Sequence, residues 1–600
     1  INMRPFWRSF WASILAYILL SVLIIVFINV IVFSIGSSLN TKKPLVIKKN
    51  SYLEMKLDFS IKERGGLVPG VDMLNPVIKN YSISDVVYAI EKAKNDDNIK
   101  GIILRPENLS IDLSNIHVLR NKLNDFKENG KFIISYAEYY SLGSYYISSV
   151  ADQVYLYPEG MLDYRGLSTE LMFFKGAIEK YGVDVQIIRG SGNDFKSAVE
   201  PFMYNKMSDE NRFQLKSILN TLWNNMNQDI GGSRKITNNN LNQIADSVLA
   251  YNASGSLNQN LIDATLYEDE LDSIVNSKFS LNENEKLNKI PFKKYIKKQT
   301  SKKKFNFSKK SNIALIYAVG EIRSGKNQEG VMGSETIVKA INKAKNDSSI
   351  KAIVLRVNSP GGSALASDVI WRSLELAKKD KPVVVSMGSV AASGGYYISC
   401  GADRIFASAN TITGSIGVFG VVPSVGRMLN ENIGLSFDRV ETNPHASMSL
   451  FNTLDPFELE VYQKAIDEIY DTFLTRVSDG RSELSKEEVH EIAKGRVWTS
   501  DKALENQLID EIGTVKDAIN YAAKLADINN ENIRIMELPK VESDPFLELI
   551  SELDINVSTT RKNELSTLIT TLNKQFKSSP FQINSKDKYQ SFMPFEFSIK

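Results

Sequence analysis

The residue pattern in this sequence that most directly suggests chemistry is a serine followed by two glycines. Ser393 stands in Ala-Ala-Ser-Gly-Gly at residues 391–395, shortly after the apolar run 383–385. Two glycines tolerate the dihedral angles of a tight strand-to-helix turn, and their N–H groups can face a developing oxyanion. The pattern falls one residue short of the GxSxG nucleophile elbow because Ala391 replaces the first glycine. The segment alone therefore fits either a nucleophile or a close-packed turn with a hydrogen-bonded serine.

A nucleophilic serine needs a base to take its proton, and histidine and lysine are the candidates. Of the three histidines, His117 and His490 are predicted to be surface residues. His445 is a serious candidate because it lies in the segment that corresponds, across an internal repeat, to the one carrying Lys196. Lys196 follows a predicted strand at residues 185–188 and could serve only if burial lowered its pKa from about 10.4 towards neutrality. The residues alone leave Lys196 and His445 both open.

Two further features are predicted to carry no chemistry. The single cysteine, Cys400, falls in a predicted helix after Ser393 and is interpreted as a small buried apolar residue. Residues 320–326 match the GxxxxGK part of a phosphate-binding loop, but Asn327 replaces the Ser or Thr that would hold Mg²⁺. We therefore predict no nucleotide, no other cofactor and no metal.

An internal repeat indicates which elements position these residues. Residues 89–105 and 340–356 are identical at 12 of 17 positions with an offset of 251. Each copy has the apolar spacing of an amphipathic helix followed by a buried strand, and such alternation predicts α/β layers with largely parallel strands. The same offset places Leu142 opposite Ser393, so only the second copy carries the serine motif.

Composition excludes some function classes. The 72 basic and 70 acidic residues leave a net charge of +2 over 600 residues, so no global field favours nucleic acid.

Residues 10–33 are almost continuously apolar, and 24 residues at 1.5 Å each can cross a bilayer core of about 30 Å. Arg4 and Arg8 precede this predicted transmembrane helix and favour a cytoplasmic N-terminus, which places the body outside the cytoplasm.

These patterns predict seven parts of the chain. They are a cytoplasmic N-terminus (1–9), a transmembrane anchor (10–33), a linker (34–50), a first repeat (51–292), a Lys-rich linker (293–311), a second repeat (312–540) and a C-terminal tail (541–600). The Lys-rich linker contains nine lysines and is interpreted as solvated rather than as an anionic-lipid contact. The tail receives no function.

Four motifs, which occur along the chain in the order typical of one family, give the sequence a family resemblance. In chain order they are Phe-Lys-Ser-Ala-Val-Glu-Pro-Phe (195–202), Asn-Ser-Pro-Gly-Gly (358–362), Ala-Ala-Ser-Gly-Gly-Tyr-Tyr (391–397) and Thr-Gly-Ser-Ile-Gly-Val (413–418). With the tandem duplication behind one predicted span, roughly residues 1–540 closely resemble the long form of bacterial signal peptide peptidase A, or protease IV. The resemblance implies tandem Clp-protease/crotonase-like domains.

It also implies the roles of particular residues. Ser393 would be the nucleophile of a Ser/Lys dyad and Lys196, from the opposite repeat, its general base. Ser415 would hydrogen-bond the lysine amine, and Gly394, Gly361 and Gly362 would form the oxyanion hole. Neither repeat would work alone.

The resemblance further implies a setting. The protein would be a single-pass, ATP-independent peptidase of the bacterial inner membrane, with its body on the periplasmic side. It would form a homotetrameric ring and degrade signal peptides already cleaved from preproteins, with the bilayer and peptides as its partners.

Two alternatives from other classes remain at this stage. A catalytically silent membrane scaffold or peptide-binding chaperone of the same fold would bind apolar peptides without cleaving them. A crotonase-type acyl-CoA enzyme would share the fold, since fold alone does not set function, but explains neither the predicted span nor the serine motif.

Overall fold

The structure, a computed structural model, describes residues 45–72, 75–107, 109–277, 288–304, 311–328, 330–447, 449–540 and 589–592, with isolated positions between 14 and 23. The elements of the first half are β1 (Ser51–Lys56), β2 (Ile61–Lys62), β3 (Gly66–Asp72), β4 (Asn75–Ser82), α1 (Ile83–Lys94), β5 (Ile99–Arg105), α2 (Leu113–Glu128), β6 (Phe132–Tyr140), α3 (Leu142–Ser148), β7 (Gln153–Leu162), α4 (Lys175–Lys180), β8 (Asp184–Arg189), a 3₁₀ turn (Ser197–Val199), α5 (Glu200–Met203), α6 (Asp209–Arg234), α7 (Asn238–Asp246), α8 (Ala253–Asn258), β9 (Ala264–Thr265), α9 (Glu268–Ser277), β10 (Asn288–Pro291) and α10 (Phe292–Lys304).

The second half repeats this succession and ends with one strand from the tail. Its elements are β11 (Ile313–Val319), β12 (Glu321–Arg323), β13 (Val331–Gly333), α11 (Ser334–Asn346), β14 (Ala352–Ser359), β15 (Gly361–Ser363), α12 (Ala364–Lys378), β16 (Val383–Ala392), α13 (Gly394–Tyr397), β17 (Arg404–Ala407), β18 (Ile412–Gly414), β19 (Phe419–Ser424), α14 (Gly426–Met428), a π turn (Leu429–Ile433), α15 (Pro456–Gly480), α16 (Lys486–Ile492), β20 (Val497–Thr499), α17 (Ser500–Glu505), β21 (Glu511–Ile512), α18 (Val515–Leu525), a 3₁₀ turn (Asn530–Asn532), β22 (Ile535–Leu538) and β23 (Tyr589–Phe592).

The main sheets of the two halves have the same strand order. In the first half the order is β10-β1-β5-β6-β7-β9, and all neighbours are parallel. The corresponding path in the second half is β22-β11-β14-β16-β17-β21, again parallel, while β18 and β20 continue from the carboxyl-terminal part of β16. The predicted tandem α/β duplication is confirmed.

The repeated helix shows why the sequence pattern was informative. Helix α1 buries Val86, Ala89, Ile90 and Ala93 at helical spacing. Helix α11 does the same with Ile337, Ala340, Ile341 and Ala344. Each helix therefore covers its sheet with one apolar stripe, as the period predicted.

The predicted Lys-rich linker is different in the structure. Much of it forms helix α10, whose Phe292, Tyr295 and Ile296 are buried in the core of the first half. The lysines at the other positions mask this apolar stripe in the sequence, so the prediction of a solvated linker is wrong for the part that forms α10. The first half therefore extends to about residue 304.

A third sheet joins the halves, with the order β13-β12-β15-β23-β19-β8. Strand β8 belongs to the first half in sequence, yet it pairs antiparallel with β19 of the second half. Val185 and Ile187 of β8 pack with Val199, Phe419 and Val421 in a separate apolar cluster. The segment around Lys196 is thus built into the second half, which the simple boundary 51–292 does not convey.

A buried ion pair also crosses between the halves. Glu63 and Arg356 are each 3% exposed, and the guanidinium donates to both carboxylate oxygens at 2.8 and 3.0 Å. Two desolvated charges are tolerated in an interior only when they are paired in this way. The halves are therefore joined by charge pairing as well as by sheet pairing.

No helix within the described residues is both long and apolar enough to span a bilayer. The predicted N-terminus (1–9) lies outside the described residues, as do most of the predicted transmembrane helix and linker (10–44) and all of the predicted tail except residues 589–592.

Candidate active site

Ser393 lies at a strained turn between β16 and α13. Its φ of 57° and ψ of −117° are unusual for a residue with a Cβ, and its N–H donates to the Gly414 carbonyl at 2.7 Å. Ala391 and Ala392, which precede it, are fully buried. Such a conformation persists only when surrounding structure over-determines it, and it is typical of functional sites.

Three predicted glycines surround this turn. A Cβ on Gly394 would lie 2.6 Å from Ser367 Oγ and 3.3 Å from Gly361 Cα, so the two backbones adjoin. Gly361 and Gly362 have φ of 105° and 152°, a region that favours glycine. The Gly361 N–H donates to Ser359 Oγ at 3.2 Å. The structure therefore brings Gly394, Gly361 and Gly362 together beside Ser393.

Lys196 reaches the same place from the first half. Its Nζ lies 2.6 Å from Ser393 Oγ, 2.9 Å from the Ser415 carbonyl oxygen and 3.0 Å from Ser415 Oγ. Both Ser393 and Lys196 are fully buried. Ser415 is itself held with φ of 51°, and its N–H donates to the Arg496 carbonyl at 2.6 Å.

The environment of Lys196 favours a neutral amine. Burial lowers the pKa of Lys196 well below its usual value, and among the residues that the structure describes no charged group offsets this effect of burial. A neutral amine has two N–H bonds and one lone pair. The amine can therefore donate to both oxygens of Ser415 and accept the proton of the Ser393 hydroxyl.

Contacts from two other segments fix the lysine backbone. The Lys196 N–H donates to the Asn193 carbonyl at 3.1 Å, and Gln214 Nε2 donates to Ser197 Oγ at 2.8 Å. Gly495 packs so closely that a Cβ there would lie 2.6 Å from Lys196 Cβ. Sequence reasoning missed Gly495 and Gln214. A lone glycine between helix α16 and strand β20 is the one weak signal for Gly495.

The histidines lie elsewhere in the described structure. His445, the alternative base, has its Nδ1 3.5 Å from both Asp455 and Glu458, which also form the capping box of α15. The prediction that His117 and His490 lie at the surface is wrong, since both are half-buried and pair with the hydroxyls of Tyr146 and Tyr470.

Two features that were set aside have plain structural roles. Cys400 is buried, and burial raises its pKa to about 12, so the thiol is not activated. It lies in the turn after α13 rather than within a helix, because α13 ends at Tyr397. Residues 321–323 of the GxxxxGK stretch form β12, and the next helix begins only at Ser334.

Comparisons with known proteins agree with this architecture. The family model of peptidase family S49 matches residues 125–279 and 375–529. The family model of Clp protease matches residues 316–413. The chain is 36% identical over 556 residues to "Protease 4" of Haemophilus influenzae, covering 90% of this chain and 88% of that protein. It is 35% identical over 461 residues to "Protease 4" of Salmonella typhi, covering 75% and 73%. A "Putative signal peptide peptidase SppA" of Enterococcus faecium is 34% identical over 197 residues, covering 32% of this chain and 55% of that protein.

Fold and relatives together define a serine peptidase built from tandem Clp-protease-like α/β domains. More particularly, the chain belongs to peptidase family S49. The resemblance to the tandemly duplicated protease IV, first seen in four motifs, is confirmed.

Proposed function

We propose that the chain is an endopeptidase in which Ser393 is the nucleophile and Lys196 the general base. The observation that carries this proposal is the 2.6 Å contact between a fully buried lysine amine and the hydroxyl of a serine on a strained turn. A base must lie within hydrogen-bond reach of the proton it takes, and its pKa must be near the operating pH. The buried lysine meets the first condition, and the direction of its pKa shift favours the second.

The proposed reaction proceeds through an acyl-enzyme. Ser393 Oγ attacks the peptide carbonyl while Lys196 Nζ takes the hydroxyl proton, and the lysine then gives this proton to the leaving amine. In the second half of the cycle Lys196 Nζ takes a proton from the water that attacks the acyl-enzyme and gives it to the departing Ser393 Oγ, which releases the acid. N–H groups of Gly394 and of the loop at Gly361 and Gly362 would stabilise the oxyanion, at about 3 kcal/mol per donor.

Ser415 has a positioning role in this proposal. Its carbonyl and hydroxyl oxygens accept the two N–H bonds of the neutral amine, which directs the lone pair at Ser393. Ser415 therefore keeps the base oriented without touching the substrate.

For the substrate, we propose the residual signal peptides left after preprotein processing. Support comes from the name of the Enterococcus faecium relative, a signal peptide peptidase, and from the resemblance in sequence. The test is digestion of a synthetic signal peptide by the detergent-purified protein, followed by mass spectrometry. Cleavage should be lost in both Ser393→Ala and Lys196→Ala. Undiminished cleavage by either variant, or binding without cleavage by the wild type, would contradict the proposal, and the second outcome would favour a scaffold.

We further propose that residues 10–33 anchor the protein in the bacterial inner membrane, with the catalytic body on the periplasmic side. The support is the 24-residue apolar run with Arg4 and Arg8 before it. Protease added to spheroplasts should digest the body of the protein, whereas a cytoplasmic control protein should survive. Protection of the body would contradict the orientation.

We also propose that the protein assembles with further copies of itself, into a homotetramer as the family resemblance implies. A comparison of the two repeats supports such an assembly. Within the chain, β8 pairs with β19, and β8 follows a left-handed glycine, Gly182. The second half has one additional residue before this point, so its matching glycine is Gly434, at an offset of 252, also with positive φ. Residues 436–441 follow it. Neither residues 436–441 nor residues 168–173, the counterpart of β19, have a strand partner in the described part of the chain.

Pairing residues 436–441 of one copy with 168–173 of the next would repeat the β8–β19 arrangement between chains. Such a head-to-tail contact generates a ring if the rotation closes. Val440 is 98% exposed in the single chain, and the proposed pairing with a second copy would cover it. Val440→Asp should reduce the mass seen by analytical ultracentrifugation to that of one chain, whereas Val46→Asp, at another exposed valine, should not. An unchanged mass for Val440→Asp would rule out this contact.

A further inference from the structure

A strand from the C-terminal tail lies inside the third sheet. Strand β23 pairs antiparallel with β15 on one side, where Gly361 faces Phe592 and Gly362 faces Ser591. On its other side it pairs antiparallel with β19, where Phe419 faces Gln590. The tail therefore closes the space between these two strands with main-chain pairing on both edges.

This space is next to the proposed nucleophile. Strand β15 contains Gly361 and Gly362, and Gly361 adjoins Gly394, the residue after Ser393. Strand β19 pairs with β8, and the Lys196 segment follows β8 in the chain. A strand between β15 and β19 therefore pairs with the glycine loop that adjoins Gly394 on one side and with the partner of β8 on the other.

Without β23, the sheet would separate into β13-β12-β15 and β19-β8. The opening between β15 and β19 would be one strand wide, or about 10 Å at a strand spacing of about 4.8 Å. Two facing unpaired edges are a template for an extended peptide, which gains affinity from main-chain hydrogen bonds whatever its side chains. The structure thus shows this opening filled by the chain itself.

We propose that residues 589–592 are a built-in competitor for the peptide groove, so that the full chain is restrained until substrate displaces its own tail. This inference rests on the proposed peptidase function. Because the competitor is tethered, it acts at an effective concentration that free substrate must overcome. If the tail fills the groove in about nine molecules of ten, the apparent KM rises about tenfold while kcat is unchanged.

Kinetics of three variants, each compared with the full chain, test the competition. A chain ending at Lys588 should show a KM about tenfold lower than the full chain with the same kcat, because the competent fraction is no longer reduced. A chain ending at Phe592 keeps β23 and should behave as the full chain. Gln590→Pro in the full chain should reproduce the shorter truncation, because proline removes an N–H from a strand paired on both sides. An unchanged or raised KM in both the Lys588 truncation and Gln590→Pro would overturn the proposal.

A binding measurement separates this proposal from the proposed function. A fluorescent peptide of residues 585–600 should bind the Lys588 truncation carrying Ser393→Ala and be displaced by a synthetic signal peptide, with no turnover required. A scrambled peptide of the same composition is the control. Binding without activity in any form would contradict the peptidase but keep the competitor, whereas activity without binding would overturn the competitor alone.

Discussion

The two halves make the same strand-to-helix turn in different ways. In the first half, β6 leads to α3 through Ser141, which has an ordinary φ of −70° and whose side chain accepts from the Ser144 N–H. In the second half, β16 leads to α13 through Ser393, which has φ of 57° and makes no side-chain cap. The Ser393 hydroxyl instead contacts Lys196 Nζ. A serine cap typically stabilises a helix by about 1 kcal/mol, so the second half lacks this local stabilisation and has instead the serine–lysine contact on which the proposed mechanism depends.

The segments after the two glycines with positive φ, Gly182 and Gly434, also differ, but here it is the first half that contributes to the proposed site. The one after Gly182 docks on β19 and delivers Lys196, whereas the one after Gly434 stays exposed on the single chain. One half thus supplies the lysine and the other the serine. Duplication made two similar domains, and the proposed site needs a different part of each.

The largest expected effect comes from replacing the lysine. Lys196→Met should lower kcat by about 10⁴-fold or more, because members of a catalytic unit fail together. The same change should stabilise the fold at neutral pH, since it removes the need to bury an amine. Lys464→Met, at an exposed lysine paired with Glu460, is the control and should change neither quantity.

The sign of the pH dependence follows from the lowered pKa of Lys196. Between its folded pKa and about 10.4, the unfolded wild type binds the proton that the native state has released, so wild-type stability rises with pH. The advantage of Lys196→Met should therefore be largest at low pH and fade towards about pH 10.4. A less stable Lys196→Met at pH 7, measured by thermal unfolding, would contradict the account of a buried neutral lysine.

A smaller effect is expected from the glycine that supports the lysine. Gly495→Ala would place a Cβ 2.6 Å from Lys196 Cβ, so it should displace the amine and lower kcat by about 10²-fold. Gly130→Ala is a matched control in the first half: its φ of 79° is close to the 76° of Gly495, but nothing lies within 4 Å of the added Cβ. Both variants should lose about 1 kcal/mol of stability from the positive φ, and Gly495→Ala should lose more because its Cβ also meets the Lys196 backbone. Only Gly495→Ala should lose activity. Equal kcat for the two would show that the close contact does not position the base.

The smallest effect is expected at Ser415. Removing its hydroxyl in Ser415→Ala leaves the carbonyl bond to Lys196 Nζ, so kcat should fall only about tenfold, the value of one hydrogen bond. Ser141→Ala, which removes the helix cap of the first half, should instead lower the free energy of unfolding by about 1 kcal/mol and leave kcat unchanged. A fall in kcat in Ser141→Ala, or an unchanged kcat in Ser415→Ala, would contradict the different roles assigned to these two serines.

Local patterns predicted much of this molecule because the duplication displays them twice. The helix stripe beginning at Val86 returns at Ile337, and the serine turn and glycine loop stand out by their absence from the first half. The sequence could not reveal that β8 pairs with β19, since that contact depends on long-range assembly. Nor could it separate Lys196 from His445, because burial decides the pKa of a lysine, and burial is a property of the fold.

The central claim is that Lys196 activates Ser393, and labelling by a fluorophosphonate tests it most directly. Full-length wild type and Lys196→Met, both shown to be folded, would be treated over a range of pH and analysed by mass spectrometry. We expect an adduct on Ser393 of the wild type, with a rate that rises with pH as the lysine loses its proton and then levels off, and no adduct in Lys196→Met. Equal labelling of Ser393 in the two proteins would contradict the account and assign the role of base to another group.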